Sequence, residues 1–173
     1  MNPSWSAHAL KAADDIRIKS FRCATTQHRW DTEVETWVRA SSVGWATDES
    51  HADMDRRLLL LRNERGAIAG IVAHELKDAV APGIDGGLIV RLLTAIAVAR
   101  AWQGKSIGGQ GRVSDVLLAT ALSDISARPQ DVPFVNAFIH EDNHRSGALF
   151  TRNGFAAYPP AVGGYVRYTL SSQ

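Results

Sequence analysis

The segment from Leu92 to Ile125 places the tightest limits on how this chain can fold. An apolar stretch ending at Val98 runs into a glycine-rich turn, residues 104–111, and then into apolar residues that recur at helical spacing from Val113 onward. This order predicts a strand, a loop and a helix. A glycine-rich turn leading into a helix points backbone N–H groups outward at the positive end of the helix dipole, where a phosphate is favoured.

The charges around this turn agree with a phosphate site. Arg100, Lys105 and Arg112 lie in or beside the turn, and no Asp or Glu occurs between Val98 and Val113. A Walker-type P-loop fits less well, because Ala99 stands where the opening glycine of that motif would be. The segment therefore predicts a site for a phosphorylated ligand of another kind.

A known loop has the same pattern. Val98, Gln103 and the run Gly104-Lys105-Ser106-Ile107-Gly108 resemble the acetyl-CoA pyrophosphate loop of the GNAT acetyltransferases, which reads Gln or Arg, two residues, Gly, one residue, Gly or Ala. The chain departs from that pattern at Ser106, where the family usually has Gly. A side chain there either adds a hydroxyl contact or crowds the phosphate.

A second motif of the same family follows downstream. Residues 132–140 are rich in β-branched and aromatic residues and predict a strand, and a short helix follows with Asn143 as a plausible N-cap. The order Asn, two residues, Ser, then Leu-Phe and Asn-Gly-Phe, from Asn143 to Phe155, resembles the closing motif of the GNAT acetyltransferases. Two matches in the right order support each other.

The length of 173 residues and the composition predict one domain, or one domain with a short N-terminal extension. We expect a flexible N-terminal extension at residues 1–13 and a single acetyltransferase domain at 14–173. The net charge of +1 argues against a nucleic-acid partner, and the one cysteine, Cys23, excludes an internal disulfide framework. No apolar run approaches the roughly 18 residues that cross a bilayer, so we expect no membrane partner and a cytoplasmic location. The histidines show no metal-binding spacing, and a homodimer is left open.

The remaining patterns predict an α/β fold. Ile16, Ile18 and Phe21 alternate like a first strand, residues 27–43 have helical spacing, and residues 44–53 are polar like a loop. Residues 57–62 and 67–76 predict a β-hairpin, residues 88–98 predict a long strand with a kink or bulge, and residues 158–170 predict one or two closing strands. The order β, α, ββ, β, α, β, α, β predicts helices around a mixed sheet.

The resemblance implies more about the fold and the cofactor. It implies a GNAT-type mixed, mostly antiparallel twisted sheet with helices on both faces and two splayed parallel central strands, here those ending at Val98 and His140. Acetyl-CoA, as co-substrate, would lie between them, with the backbone near Ile96 and Val98 holding its pantetheine arm and Asn143 contacting that arm. The pyrophosphate would be held by Gln103, Gly104, Lys105, Ser106, Ile107 and Gly108.

The catalytic groups are less clearly indicated. His74 and Glu75 end an apolar strand, where one of two neighbours must face the sheet surface, and both are candidate bases. The alternative is that both are solvated residues at a strand end, and His140 is a further candidate. Many relatives have Tyr where this chain has Phe150, which cannot donate a proton, so Tyr158, Tyr165, Tyr168 or solvent would replace it.

The resemblance implies an N-acetyltransferase that transfers the acetyl group of acetyl-CoA to a primary amine of a small molecule or peptide by direct attack in a ternary complex. Phe150 and Ser106 support a rival, a non-catalytic acyl-CoA-binding module. The segments 21–23 and 35–39 faintly resemble toxins of this family that acetylate aminoacyl-tRNA. A nucleotide-binding switch is a third class.

Overall fold

One sheet of seven strands organises the computed structural model, which describes residues 6–9, 14–25, 28–79, 87–107, 109–129 and 132–171. The strands are β1 (Ser6–Ala9), β2 (Arg57–Arg62), β3 (Ile68–Ala79), β4 (Leu88–Val98), β5 (Phe134–His140), β6 (Ala156–Val162) and β7 (Tyr165–Ser171). Their order across the sheet is β1-β2-β3-β4-β5-β7-β6. All neighbouring pairs are antiparallel except β4 and β5.

Helices cover both faces of the sheet. They are α1 (Asp15–Lys19), α2 (Arg29–Ala40), α3 (Ser42–Thr47), α4 (Val113–Ser126) and α5 (His144–Arg152), with short 3₁₀ helices at Glu49–Met54 and Arg100–Trp102. Strand side chains alternate between two cores, one shared with α1 and α2 and the other with α4 and α5. Among the described residues, no helix has the length and apolar character needed to cross a bilayer.

The two parallel strands diverge. They pair at Arg91↔Val135, Leu92↔Asn136 and Leu93↔Ala137, and the pairing stops there although β4 continues to Val98 and β5 to His140. A wedge-shaped cleft therefore opens between the carboxyl halves of β4 and β5. The predicted fold class, with two splayed parallel central strands in a mostly antiparallel sheet, is confirmed.

The predicted irregularity in the long strand is also present. Ala73 pairs with Ala95 and His74 pairs with Leu93, so Thr94 is an extra residue on β4, a β-bulge. The bulge lies next to Leu93, where the pairing with β5 ends. It increases the local twist and helps β4 turn away from β5.

The first predicted strand is wrong. Residues 15–19 form α1 instead, with Ile16 80% exposed and Ile18 fully buried. The buried pair is Ile18 and Phe21, which are three residues apart and lie on one face of a helical turn. The alternation of Ile16 and Ile18 resembled a strand because an exposed isoleucine gives the same sequence signal as a buried one.

Three further expectations differ from the structure. Four residues of the segment expected as a flexible extension, Ser6–Ala9, form an edge strand paired with β2; the rest of residues 1–13 lies outside the described residues, and the boundary at residue 14 stays a prediction. The helix expected over 27–43 is two helices, because Ser41 leaves helical geometry between α2 and α3. Residues 44–53, expected as a loop, are largely helical.

Candidate active site

The cleft between β4 and β5 exposes backbone hydrogen-bonding groups. The Ala99 N–H donates to the Ala69 carbonyl at 2.9 Å, the bond that flanks the pair Gly70↔Val98. In an antiparallel ladder, this makes Val98 and Ile96 residues whose N–H and C=O groups point away from β3. Both residues therefore turn their N–H groups to the cleft, and Ile96 also its carbonyl, while the Val98 carbonyl accepts from the Gln103 side chain. The resemblance implies this arrangement for residues that would hold a pantetheine arm.

The other wall of the cleft is built in the same way. The Glu141 N–H donates to the Gly164 carbonyl at 2.9 Å, which places the N–H and C=O of Phe138 and His140 on the side facing β4. The His140 carbonyl already accepts from the Asn143 N–H at 2.8 Å. The cleft is thus lined by two backbones whose polar groups lack the strand partner they would have in a continuous sheet.

The loop that follows β4, residues 103–107 (the cofactor loop), turns alternate amides outward. The amides of Lys105 and Ile107 donate to carbonyls of the surrounding turn at 3.2 and 2.8 Å. The amides of Gly104 and Ser106 have no acceptor among the described residues. Gly104 has φ +71°, a conformation that favours glycine. Two alternate outward amides on a strand-to-helix connection form an anion cradle.

Helix α4 begins beside this cradle. Ser106 and Arg112 form an isolated antiparallel bridge, and the Val113 N–H at the start of α4 donates to the Lys105 carbonyl at 3.0 Å. This bond and the bridge hold the positive end of the helix dipole next to the cofactor loop. The Lys105 ammonium adds a positive charge, held 5.5 Å above the Trp102 ring.

Two residues expected to hold the pyrophosphate have structural roles instead. The Gln103 side-chain NH₂ donates to the carbonyls of Cys23 and Val98, so only its own oxygen, an acceptor, remains free. An acceptor cannot bind a phosphate anion, which makes Gln103 an anchor of the loop. Ile107 is 2% exposed and its side chain belongs to the core on the α4 side. Gly108, also assigned to the pyrophosphate, lies outside the described residues.

The Asn143 side chain caps α5 through its oxygen and keeps its NH₂ group as a free donor. Its Oδ1 accepts from the Ser146 N–H at 3.2 Å and caps α5. Its side-chain NH₂ has no acceptor among the residues that the structure describes, so it is available to a ligand. The N-cap role and the predicted contact with the cofactor arm are compatible.

Phe150 lies in the core on the α5 side. Its side chain is 4% exposed and packs edge-on against Phe155, with ring centroids 4.8 Å apart. The nearest tyrosine ring is that of Tyr168, 6.0 Å away between centroids. The Tyr168 hydroxyl fills the space beside Gly147, where a Cβ would lie 2.7 Å from it. Tyr158 lies under the Arg167 guanidinium, and Tyr165 packs edge-on against His140.

His74 is buried among charged groups and cannot reach a substrate. It is fully buried on the α4 side of β3, with Nε2 3.2 Å from a carboxylate oxygen of Asp124. Burial, together with the nearby Arg91 guanidinium, lowers the pKa of His74 to about 4. The structure therefore argues against His74 as the base, because a proton acceptor must reach the attacking amine.

Glu75 is engaged on the opposite face of β3. It is 7% exposed, and one carboxylate oxygen lies 3.1 Å from the Nε of Arg56. The same guanidinium stacks on Trp45 at 5.4 Å. Glu75 is therefore the buried ion-pair partner of Arg56. Its role as a base stays a prediction that this packing does not support.

An aromatic wall borders the cleft on the α2 side. Trp30 of α2 stacks on His140 at 4.5 Å, and His140 packs edge-on against Tyr165 at 5.4 Å. The Tyr165 hydroxyl donates to Glu33 at 3.2 Å. Hydrogen bonding to this carboxylate and burial raise the pKa of Tyr165. The wall joins α2, β5 and β7, which are far apart in sequence.

Comparison with known proteins finds solved structures with the same architecture. The sequence matches no protein-family model and no curated protein. The PaiA N-acetyltransferase of Thermoplasma acidophilum, solved with coenzyme A, is 11% identical with a TM-score of 0.69, covering 98% of this chain and 99% of that one. A Tyr-to-Phe mutant of the AtaT toxin, solved with the C-terminus of the antitoxin AtaR and acetyl-CoA, is 13% identical with a TM-score of 0.69, covering 96% and 92%.

A third similar structure is described as a GNAT domain. The GNAT domain of PAT from S. lividans is 18% identical with a TM-score of 0.65, covering 96% of this chain and 89% of that domain. Identities this low establish a common fold and leave the substrate open. Together with the splayed strands and the cofactor loop, they show that this chain has the fold of the GNAT acetyltransferases.

Proposed function

We propose that this protein is an acetyl-CoA-dependent N-acetyltransferase that acts on a primary amine of a small molecule or peptide by direct attack in a ternary complex. The observation that carries the proposal is the cleft between β4 and β5, which opens beyond Leu93 and leads along β4 to the loop with the outward amides of Gly104 and Ser106. One end of the cleft suits a diphosphate and its walls suit an extended amide-bearing arm.

The cleft also supplies groups for the chemistry. The N–H groups of Ile96 and Val98 face the position of the arm and its thioester, where they can polarise a carbonyl as it gains negative charge. The Val98 carbonyl is taken by Gln103, so that residue offers its N–H alone. This arrangement lowers the barrier to attack by a neutral amine.

The amine approaches from the α2 side. Phe138 lies on this face of β5 and is 56% exposed, and the aromatic wall stands beside it. His140 accepts from the Asp142 N–H through Nδ1 at 3.3 Å, which leaves the hydrogen of the neutral ring on Nε2. His140 is therefore a donor here, and the amine loses its proton to water at this open face.

The leaving thiolate is protonated without a tyrosine at position 150. The Phe150 ring supplies no proton, and the Tyr168 hydroxyl lies under α5 against Gly147. Water that enters the open cleft serves as the acid. We expect slow turnover, since a positioned acid typically contributes about 10² to 10⁴ in rate.

The proposal is tested by mixing the protein with acetyl-CoA and a panel of amines, peptides and aminoacyl-tRNA, and following free thiol. The expected result is thiol release that depends on the amine and on pH, rising as the amine deprotonates. Acetyl-CoA binding without thiol release across the panel contradicts the enzymatic proposal.

The buried Phe150 favours one second candidate, a non-catalytic acyl-CoA-binding module. Such a module binds acetyl-CoA and CoA in the same cleft, and its affinity does not change when amines are added. Calorimetry with the dead-end product CoA, with and without amine, separates the two candidates, because a ternary complex requires both ligands to bind together.

A further inference from the structure

An arginine-lined groove of about 680 Å³ lies on the α1 side of the sheet end, next to the cofactor loop but not part of it. Four arginines from four segments line it, and we call it the arginine groove: Arg17 of α1, Arg22 after α1, Arg65 in the turn between β2 and β3, and Arg100 after β4. Neither Gly104 nor Ser106 lines it.

Two of these arginines are fixed in place while keeping their charge. Arg17 donates from Nη1 to the Gly66 carbonyl at 3.0 Å. Arg100 donates from Nε, at 3.0 Å, and from Nη2 to the Ala24 carbonyl. A carbonyl is neutral, so these bonds orient the guanidinium groups without neutralising them, and further N–H donors remain on each.

The other two arginines are more exposed. The Arg22 side chain is 54% exposed, donates to the Phe21 carbonyl at 3.0 Å, and lies 3.9 Å from the Glu35 carboxylate. Such a long, solvated ion pair neutralises little charge. The Arg65 side chain is exposed and has no partner among the described residues.

Carboxylates do not balance this groove. No Asp or Glu is among the residues that line it. In the neighbouring helix, Asp15 pairs with Lys19 at 2.5 Å, and Asp14 pairs with Arg62. The whole chain has a net charge of only +1, so four arginines around one groove are a local excess of positive charge, which favours an anion.

We propose that the arginine groove is a second anion site, separate from the cofactor loop, that binds a ligand carrying two or more phosphate groups. Guanidinium groups pair with phosphate oxygens through parallel N–H donors. The four arginines lie in four segments of the fold around one open groove, so they can contact more than one phosphate group. Two sources carry that chemistry, a polyphosphate such as a nucleoside triphosphate and the backbone of a nucleic acid.

The test uses the full chain with three probes: tripolyphosphate, a labelled short single-stranded oligonucleotide, and CoA as the probe of the cofactor loop. Arg65→Gln removes one groove charge and no side-chain hydrogen bond among the described residues. Arg22→Gln removes a second charge together with the local bond to the neighbouring Phe21 carbonyl. Lys77→Gln is the matched control, because it deletes the same charge from an exposed position near the far end of β3. Gly104→Asp serves as the cofactor-loop variant.

The expected result is that the groove variants and the cofactor-loop variant each weaken binding of a different probe. Each groove variant weakens binding of a phosphate probe about threefold to tenfold, the loss of one charge-assisted contact at a partly exposed site, while CoA binding stays unchanged. Gly104→Asp weakens CoA and leaves the phosphate probe bound, and Lys77→Gln changes neither.

The probes identify the source. Binding of tripolyphosphate alone assigns a polyphosphate ligand. Binding of the oligonucleotide, with a log–log salt slope that falls by about 0.7 in each groove variant, assigns a nucleic-acid backbone. The proposal is overturned if neither probe binds, if the groove variants behave like Lys77→Gln, or if CoA and the phosphate probes weaken together, since the groove would then belong to the cofactor site.

Discussion

Replacing Gly104 by Asp places a carboxylate where the proposed diphosphate binds. The position has open space, because a Cβ built there meets no atom within 4 Å. Its φ of +71° lies in the left-handed region, which Asn and Asp tolerate better than other side chains. The substitution therefore tests charge rather than steric fit, and Gly104→Asn reproduces its shape and backbone strain without the charge.

The magnitude follows from Coulomb's law. Gly104 is exposed, so an effective dielectric constant between that of water and about 20 applies, and a carboxylate about 5 Å from a diphosphate with about two negative charges costs about 3 kcal/mol. This corresponds to about a hundredfold loss of CoA affinity relative to Gly104→Asn. Raising the salt concentration should shrink the difference, because counter-ions screen exposed charges.

Calorimetric titration of CoA into both variants and the wild type measures this ratio. Thermal unfolding of each variant checks that the fold is retained. Gly87→Asp, which has φ +79° and open space before the other end of β4, controls for the effect of an exposed Asp at a left-handed glycine. If Gly104→Asp and Gly104→Asn lose affinity equally, or if neither loses any, the cofactor's phosphates do not lie at these amides and the proposed site is refuted.

Three other substitutions test the remaining inferences. Gln103→Met leaves the Cys23 and Val98 carbonyls without a donor and should lower the free energy of unfolding by about 1–3 kcal/mol in a denaturant titration; unchanged stability contradicts the anchor role. The pKa of His74 is depressed from 6.5 to about 4 in the folded chain, so wild-type stability should be complete above pH 6.5 and fall by up to about 3 kcal/mol toward pH 4. His74→Gln should flatten that fall, and an equal slope in both proteins excludes His74 as its cause. Phe150→Tyr should raise kcat without changing the KM for the amine, measured by thiol release, because it restores the tyrosine hydroxyl that the family resemblance implies as the acid at this position; an unchanged kcat means that protonation of the thiolate is not limiting.

The sequence predicted the elements whose patterns are local. The boundaries of β4, β2 and α4 match their predictions within one residue, because apolar runs, turn residues and helical spacing act over a few positions. The prediction of a first strand was wrong for the same reason, because it used a local pattern. Ile16 and Ile18 alternate with polar residues, and only packing shows that Ile18 is buried and Ile16 exposed. The motif spacing also predicted a loop between β4 and α4, which the structure contains, while contact of its residues with a cofactor stays a prediction.

Only the tertiary structure determined the roles of residues whose partners are distant in sequence. Gln103 fits the motif, yet its amide is taken by Cys23 across the loop, and His74 looks like a base until Asp124 and Arg91 are seen around it. The arginine groove draws its charges from four segments, so no stretch of sequence shows it. Hydrogen bonding, desolvation and charge act through space, and the fold determines which groups they join.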